Sequence, residues 1–460
     1  MLKVGSELRP RLQNQFYHYL AQAYQNPWRS DPTLTWQARM EQSHHALNNA
    51  IPSAYIKPLL HHRGVWCEEG IWEPQGKGYK LAWVRAATKL KPRYIEEAAI
   101  ANWIATQMGL VIEKTEVWNL HKRYHQQGVG RNSRLIKAVE IDQQLSACIA
   151  QVPLWIEQVH NTLAGPLPQT SMGSHCHRSH CPFLNDCAPP LVEGAHPVNW
   201  LSRSPDLVKG LQQQGFHDLK QVPFDKLKKK HHQRMARVAR SGQAELDHHA
   251  SKILRELPYP RYFIDFETAS FAVPPWDGVN PIISQVPFQW SCHKVESDGR
   301  LTHHGFLAEP DDDPRRAFSE TLLNVVGLHG PVFVYNATFE KGRMQEMANR
   351  FDDLADALKA VQARVIDLHP LARDHYYHPS MCGSWSLKAV LPTLNKGLSY
   401  ENLGIKDGEQ AQAAYLAWMF DEMSVERQEQ IRKDLLLYCE MDTLALVKMV
   451  ERFQQGLEGE

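Results

Sequence analysis

Apolar and polar positions change rhythm several times along the 460 residues, and each change predicts an element. The first 60 residues read as mostly helix, without a clear motif. From Gly64 to Ala87 the pattern turns to strand. G-V-W-C-E-E-G-I-W-E-P, a turn over Gln75 to Gly78, and Y-K-L-A-W-V-R-A-A-T predict a β-hairpin. Pro92 to Met108 is amphipathic and predicts a long helix, followed by a strand over V-I-E-K-T-E-V-W-N-L. After the proline-rich Ala188-Pro189-Pro190, glycine-punctuated helical segments lead into Lys226 to Arg240. Leu227, Met235 and Val238 give that stretch a thin apolar stripe under a basic face, which predicts a solvated helix.

The rhythm is sharper in the second half. Tyr262 to Thr268, Y-F-I-D-F-E-T, predicts a buried strand, and F-Q-W-S-C-H-K-V and T-H-H-G-F-L-A predict two more around the turn E-S-D-G-R. Arg315 to Gly327 predicts a helix, and Pro331 to Tyr335 a short buried strand. That strand runs into N-A-T-F-E-K-G-R-M, where Asn336 or Thr338 is placed to cap a further helix. Near the C-terminus, L-L-L-Y-C-E-M-D-T-L-A-L-V-K-M-V has helical apolar spacing and predicts a long packed helix.

Several acids interrupt these apolar patterns. Asp265 and Glu267 are two apart on one strand, so they share a face. Two bare carboxylates on a core strand repel each other and lose solvation, and a divalent cation between them removes both penalties. An exposed edge strand with solvated acids is the plainer alternative. Glu340 falls in the first turn of its predicted helix, at the C-terminal end of a sheet strand, where α/β sites form and where the helix dipole also favours an acid. Tyr438 and Asp442 are four apart and share a helix face. An Asp within that apolar stripe needs a partner, either a cation or a buried hydrogen bond.

Composition is that of an ordinary globular protein of two or three domains, with 43% hydrophobic and 22% charged residues. No apolar run is long enough for a membrane span, and the first residues show no signal-peptide core, so a cytoplasmic protein with no membrane partner is expected. The zero net charge hides an asymmetry. Residues 1–250 carry 30 Lys and Arg against 20 Asp and Glu, leaving 21 against 31 of the totals of 51 and 51 for the rest. A basic half able to attract phosphates beside an acidic half able to gather cations fits a nucleic-acid enzyme; two ordinary domains of opposite surface charge fit as well. Lys228, Lys229, Lys230, Arg234 and Arg237 are the candidate phosphate contacts of the basic stretch. Cys176, Cys181 and Cys187 cluster as cysteines do around a metal in a reducing compartment.

The hairpin, helix, strand order of the N-terminal half resembles the core of the RecB-like PD-(D/E)xK nucleases. That family carries an Asp on the first strand and Glu-x-Lys on the second. Here the second slot reads Trp83-Val84-Arg85, and the first falls near Trp66-Cys67, with Glu68 and Glu69 the nearby acids. Tryptophan cannot bind Mg²⁺. The resemblance therefore implies a domain that has lost its own chemistry and keeps a capacity to grip nucleic acid or a partner. RecB-like nucleases often close with cysteines that hold an iron–sulfur cluster together with an N-terminal cysteine, but the first 66 residues here have none. The three cysteines form an incomplete Cys₄ site. A fourth ligand from His175, His177, His180 or Cys67 would favour Zn²⁺, and a decayed site is the alternative.

The order D-x-E, N-x-x-F-E, Y-x-x-x-D resembles the DnaQ-like, RNase H-like 3′–5′ exonucleases of the DEDDy type, over residues 258–455. The resemblance implies two Mg²⁺ or Mn²⁺ ions held by Asp265, Glu267, Glu340 and Asp442, with Glu340 in place of the usual Asp. It implies that Tyr438 orients and helps to deprotonate the attacking water. It also implies that Asn336 and Phe339 meet the single-stranded 3′ end of DNA or RNA. The whole chain resembles a prokaryotic family of unknown role that fuses two such regions. The stretches V-P-F-Q-W-S, Y-N-A-T-F-E-K, G-S-W-S-L-K-A-V-L-P and Y-C-E-M-D-T-L-A carry that match.

The expected architecture is α/β. Residues 1–190 form a degenerate restriction-endonuclease-like domain with the cysteine cluster, and 191–255 a basic helical connector. Residues 256–460 form an RNase H-like mixed sheet with flanking helices. The expected activity is metal-dependent 3′–5′ exonucleolysis of single-stranded nucleic acid. The rival is a catalytically inactive nucleic-acid- or protein-binding module that retains the folds.

Overall fold

A computed structural model describes residues 8–49, 52–122, 124, 135–166, 195–201, 204–395 and 397–456. Cys176, Cys181 and Cys187, with the neighbouring histidines, lie outside these residues. The chain is mixed α/β and divides into two compact units. One spans Ser6–Thr170 with Ser270–Gln285, the other Ser171–Ala269 with Val286–Glu460.

The N-terminal unit is built on a six-stranded sheet. Its strands are β1 (Trp28–Arg29), β2 (Tyr55–Ile56), β5 (Ile71–Gln75), β6 (Gly78–Arg85), β7 (Ile112–Leu120) and β8 (Ile136–Glu140), in the order β1-β2-β5-β6-β7-β8. A separate hairpin joins β3 (Leu60–His62) to β4 (Val65–Cys67). Helices α1 (Leu8–Ala21), α2 (Trp36–Asn49), α3 (Pro92–Gln107) and α4 (Asp142–Ala164) surround the sheet. The middle of β6 is buried on both faces. Leu81 and Trp83 share a core with Ala98 and Ile104 of α3, while Ala82 and Val84 share one with Phe16 and Leu20 of α1. An all-apolar run suits a strand covered on both sides.

The expected hairpin over Gly64–Ala87 forms only in part. β5 and β6 pair around the turn as predicted, but β4 leaves this sheet to pair with β3. The break falls at Gly70, whose φ of +89° is left-handed and where a Cβ would meet Leu81 Cδ1 at 2.7 Å.

The C-terminal unit carries a five-stranded sheet of β10 (Arg261–Ala269), β11 (Val286–Val295), β12 (Leu301–Leu307), β13 (Val332–Val334) and β14 (Val365–Asp367). The order is β12-β11-β10-β13-β14. The first two pairings are antiparallel and the last two parallel. A small ribbon pairs β9 (Glu245–Leu246) with β15 (Tyr376–Tyr377). Alternation along β10 sorts its side chains. Tyr262, Ile264 and Phe266 pack with residues of α8 (Arg315–Val325), α9 (Ala337–Arg350) and α10 (Ala355–Ala363). Phe263 faces the other way, into a core that contains Leu446 and Val447 of the C-terminal helix.

That second core also takes in the segment expected to be a connector. Residues of α5 (Pro205–Gln213), α6 (Lys230–Ser241) and α7 (His248–Arg255) share it with residues of α11 (Leu368–His375) and α12 (Leu387–Leu394). The predicted apolar stripe of Leu227, Met235 and Val238 is buried there. The helix starts at Lys230 rather than Lys226. Two further helices, α13 (Gly408–Phe420) and α14 (Val425–Gln455), complete the unit. No helix among the described residues is long and apolar enough to cross a membrane.

Candidate metal centre

Strand β10 sets the site. Asp265 and Glu267 follow Phe263 on one face, the face that α14 covers. Helix α14 presents Leu435, Tyr438, Cys439, Asp442, Thr443 and Leu446, all buried, at the three-and-four spacing of a single helix face. Polar bonds fix its position over the sheet. Gln289 donates from Nε2 to the Leu435 carbonyl at 2.7 Å, and Thr443 Oγ1 lies 2.8 Å from both Ser291 Oγ and His293 Nδ1. Ser291 and Gln289 are the β11 partners of Asp265 and Glu267 in the sheet. The strand pair that carries the acids therefore also anchors the helix that faces them.

The result brings Asp265, Glu267 and Asp442 together, with one carboxylate oxygen from each within 4.8 Å of the others. Glu340, in the first turn of α9, stands outside that group of three but close enough for its charge to act on Asp265 and Glu267. Glu340 is 2% exposed, and its Oε2 is buried without a hydrogen-bond partner. Burial pushes the Asp265 carboxyl well above its ordinary value, and the charges of Asp442, Glu267 and Glu340 push it further. Glu267 is raised to about 8 by burial and then by Asp442, against the pull of Lys388. Glu340 is raised to about 8, chiefly by burial. Asp442 reaches only about 6, because Tyr400, Lys388 and Tyr438 oppose its burial.

Four inward carboxylates, one with an orphaned oxygen, make a hard-oxygen donor set that fits a divalent cation such as Mg²⁺ or Mn²⁺. Burial and the carboxylates of Asp442, Glu267 and Asp265 hold the Tyr438 phenol firmly protonated.

Sequence patterns missed several participants. Tyr400 donates to Asp442 Oδ1 at 2.6 Å, from a loop with no periodic signal. Cys439 places its thiol 3.7 Å from Asp265 Oδ2. Lys388, within the S-L-K-A-V-L-P stretch already singled out, sets its ammonium over the Tyr438 and Tyr400 rings. Asp367, at the end of β14, caps the turn that carries Glu340. Its carboxylate accepts from the backbone N–H groups of Asn336 and Ala337 at 2.9 and 3.0 Å. Neither Asn336 nor Thr338 caps α9 with its side chain, as Asn336 adopts a left-handed φ of 84° and Asp367 meets the free N–H groups from another strand. Asn336 is exposed; Phe339 is half-buried against the Ile264 core, with Arg343 over its ring.

The basic stretch divides. Lys228, Lys229 and Lys230 are exposed. Arg234 is not on a solvated face. It is 4% exposed and donates to Glu245 Oε1 at 2.9 Å and to the Asp374 carbonyl. Arg237 is exposed but paired with the same Glu245, at 2.6 and 2.8 Å. Both arginines lie opposite acids at the β9 ribbon, so their charge is spent within the fold.

In the N-terminal unit, Trp83 and Arg85 occupy one face of β6 opposite α3. The Arg85 guanidinium bonds Glu97 Oε2 at 2.6 and 2.9 Å and Glu69 Oε2 at 3.2 Å, and it lies over the Trp83 ring at 4.6 Å. Tyr17 donates to Glu69 at 2.7 Å, and Glu68 pairs with Arg39. Cys67 is buried in the core, its thiol pushed up to about 12 by burial.

Residues 262–386 match a domain of unknown function, DUF2779. An uncharacterised protein of Mycoplasma pneumoniae is 27% identical over 215 residues, 42% of this chain and 32% of that protein. An uncharacterised protein of Ureaplasma parvum is 25% identical over 261 residues, 52% of this chain and 37% of that protein. The chain spans about a third of the length of these curated relatives. No solved structure gives a significant match. The matched domain covers β10 and Glu340 but ends before Lys388, Tyr400 and α14.

Proposed function

We propose that the C-terminal unit is an RNase H-like, DnaQ-like 3′–5′ exonuclease of the DEDDy arrangement, acting on single-stranded nucleic acid. The observation that carries this reading is the convergence of Asp265, Glu267 and Asp442 on the face of a mixed sheet that α14 covers, with Glu340 close enough for its charge to act on Asp265 and Glu267. Such a cluster is electrostatically unfavourable on its own, and it becomes favourable around divalent cations. Divalent cations bound there supply Lewis acidity to the phosphate and charge neutralisation to the attacking and leaving oxygens.

The chain's own residues do the rest. Asp265, Glu267, Glu340 and Asp442 would hold the cations. Tyr400 and the bonds from β11 fix Asp442 and its helix. Tyr438, held protonated, orients the attacking water through its hydroxyl. The water oxygen forms a new bond to phosphorus, and the bond from phosphorus to the 3′-oxygen of the preceding nucleotide breaks. One proton of the water ends on that 3′-oxygen. The products are a shortened strand and a nucleoside 5′-monophosphate.

The N-terminal unit does not cleave on this reading, because the Arg85 guanidinium already bonds both Glu69 and Glu97 where a cation would have to sit. The test uses the full chain with Mg²⁺ or Mn²⁺ on 3′- and 5′-labelled DNA and RNA strands. Stepwise shortening from the 3′ end, blocked by a capped 3′ end and abolished by Asp265→Asn, is expected. Inertness on every strand, or full activity of Asp265→Asn, would replace this reading with the binding module.

A further inference from the structure

Lys388 is the second residue of α12, and its side chain runs between two tyrosines of the site. Its Nζ lies 5.3 Å from the Tyr438 ring centroid and 5.5 Å from that of Tyr400. Its charge acts on Glu267 and Asp442. Yet among the described residues the ammonium makes no hydrogen bond and no ion pair; its contacts are the two aromatic faces. This is unusual beside four acids, since a flexible lysine ordinarily closes on the nearest carboxylate. One oxygen of the two acids on which its charge acts is already served: Asp442 Oδ1 accepts from the Tyr400 hydroxyl at 2.6 Å. The two rings then hold the ammonium at a distance by cation–π attraction. A half-buried cation with three unspent donors is thereby kept at the edge of an acid cluster.

A structural partner for the acids would be bonded to them. A cation kept apart, with its donors free, suits an anion that arrives from outside. We propose that Lys388 is the phosphate-contacting residue of this centre, binding a non-bridging oxygen of the terminal phosphodiester and then the phosphate of the released nucleoside 5′-monophosphate. The inference rests on the exonuclease reading for the identity of the phosphate. It adds that the monophosphate product is itself a ligand. Lysine serves phosphate as a point charge with rotatable donors, which accommodates both the diester and the monoester.

The role predicts opposite signs for two ligands of one site. Lys388→Met keeps an unbranched stem of similar length between the rings and removes the charge. Mn²⁺ binding to the substrate-free protein, followed by calorimetry, is expected to tighten severalfold because a repelling cation has gone. Adenosine 5′-monophosphate binding in the presence of Mn²⁺ is expected to weaken at least tenfold, and KM for an oligonucleotide to rise more than kcat falls. Lys388→Arg should restore most of the monophosphate affinity. A structural lysine would give the other pattern: weaker Mn²⁺ binding and a lower melting temperature for Lys388→Met, which overturns the proposal. Unchanged monophosphate affinity in Lys388→Met overturns it as well. The arms separate this inference from the reading beneath it. If the wild type cleaves no strand but binds the monophosphate through Lys388, the exonuclease reading falls and the phosphate site stands. If the wild type cleaves and Lys388→Met binds and cleaves equally well, the phosphate contact alone falls.

Discussion

Each unit of this protein gathers acids at one strand of its sheet, and the two resolve the resulting charge in opposite ways. In the N-terminal unit Glu69 and Glu97 close on Arg85, and Tyr17 takes a further position on Glu69. These acids take a guanidinium and a phenol from within the chain as partners. In the C-terminal unit Asp265, Glu267 and Asp442 face one another with Glu340 close by, and the Lys388 ammonium is held off by two rings. A fold left with uncompensated buried acids is less stable by itself, and on the proposed reading an outside cation completes it. The comparison teaches that acid content says little about a site; what decides is whether the matching positive charge is part of the chain.

The largest expected effect breaks the C-terminal half of this contrast. Asp265→Asn should lower exonuclease turnover by about a thousand-fold or more, roughly 4 kcal/mol of barrier. The same substitution should raise the melting temperature of the chelator-treated protein, since it removes one of four mutually repelling acids. A loss of both activity and metal-free stability would contradict the uncompensated cluster.

Arg85→Met probes the opposite arrangement. Removing the guanidinium leaves two partly exposed carboxylates without their partner, and a loss of about 1 kcal/mol, reduced by solvent screening, is expected in denaturant unfolding of the N-terminal unit. Strand cleavage per folded molecule should not change. Lost cleavage with stability intact would place chemistry in the wrong unit.

Tyr438→Phe sharpens the picture within the active cluster. It should slow turnover by about a hundred-fold while Mn²⁺ affinity stays near that of wild type, because a water-orienting hydroxyl is lost and no ligand. A parallel loss of Mn²⁺ binding would make Tyr438 part of the cation cage instead.

The smallest effect concerns pH. Glu267 and Glu340 are raised from 4.5 to about 8, and Asp442 from 3.8 to about 6. A carboxyl raised on folding contributes stability that is complete below its unfolded value and is lost as pH climbs through its folded value. The metal-free C-terminal unit should therefore lose a few degrees of melting temperature between about pH 4.5 and 8. Mn²⁺ should restore them near pH 8 and do little near pH 5. A flat metal-free profile would show that the acids do not interact as their burial implies.

Much of the fold was legible because its signals are local. Strands β10, β11, β12 and β13 and helix α14 follow directly from runs of apolar residues at period two or 3.6. That Trp83 and Arg85 offer no metal ligand was visible because residue type alone excludes one. Asp265, Glu267 and Asp442 stood out because each is an acid inside an apolar pattern. The structure decided what local pattern cannot carry. It bonded Arg85 to Glu97, took Arg234 out of solvent, capped α9 with Asp367 from another strand, and set Tyr400 and Lys388 beside Asp442. Loops have no period, and a side chain's partner is chosen by packing between segments far apart in the chain. Sequence therefore determined which residues were chemically able to act, and only the tertiary structure decided which acids already had a partner and which were left to meet one from outside.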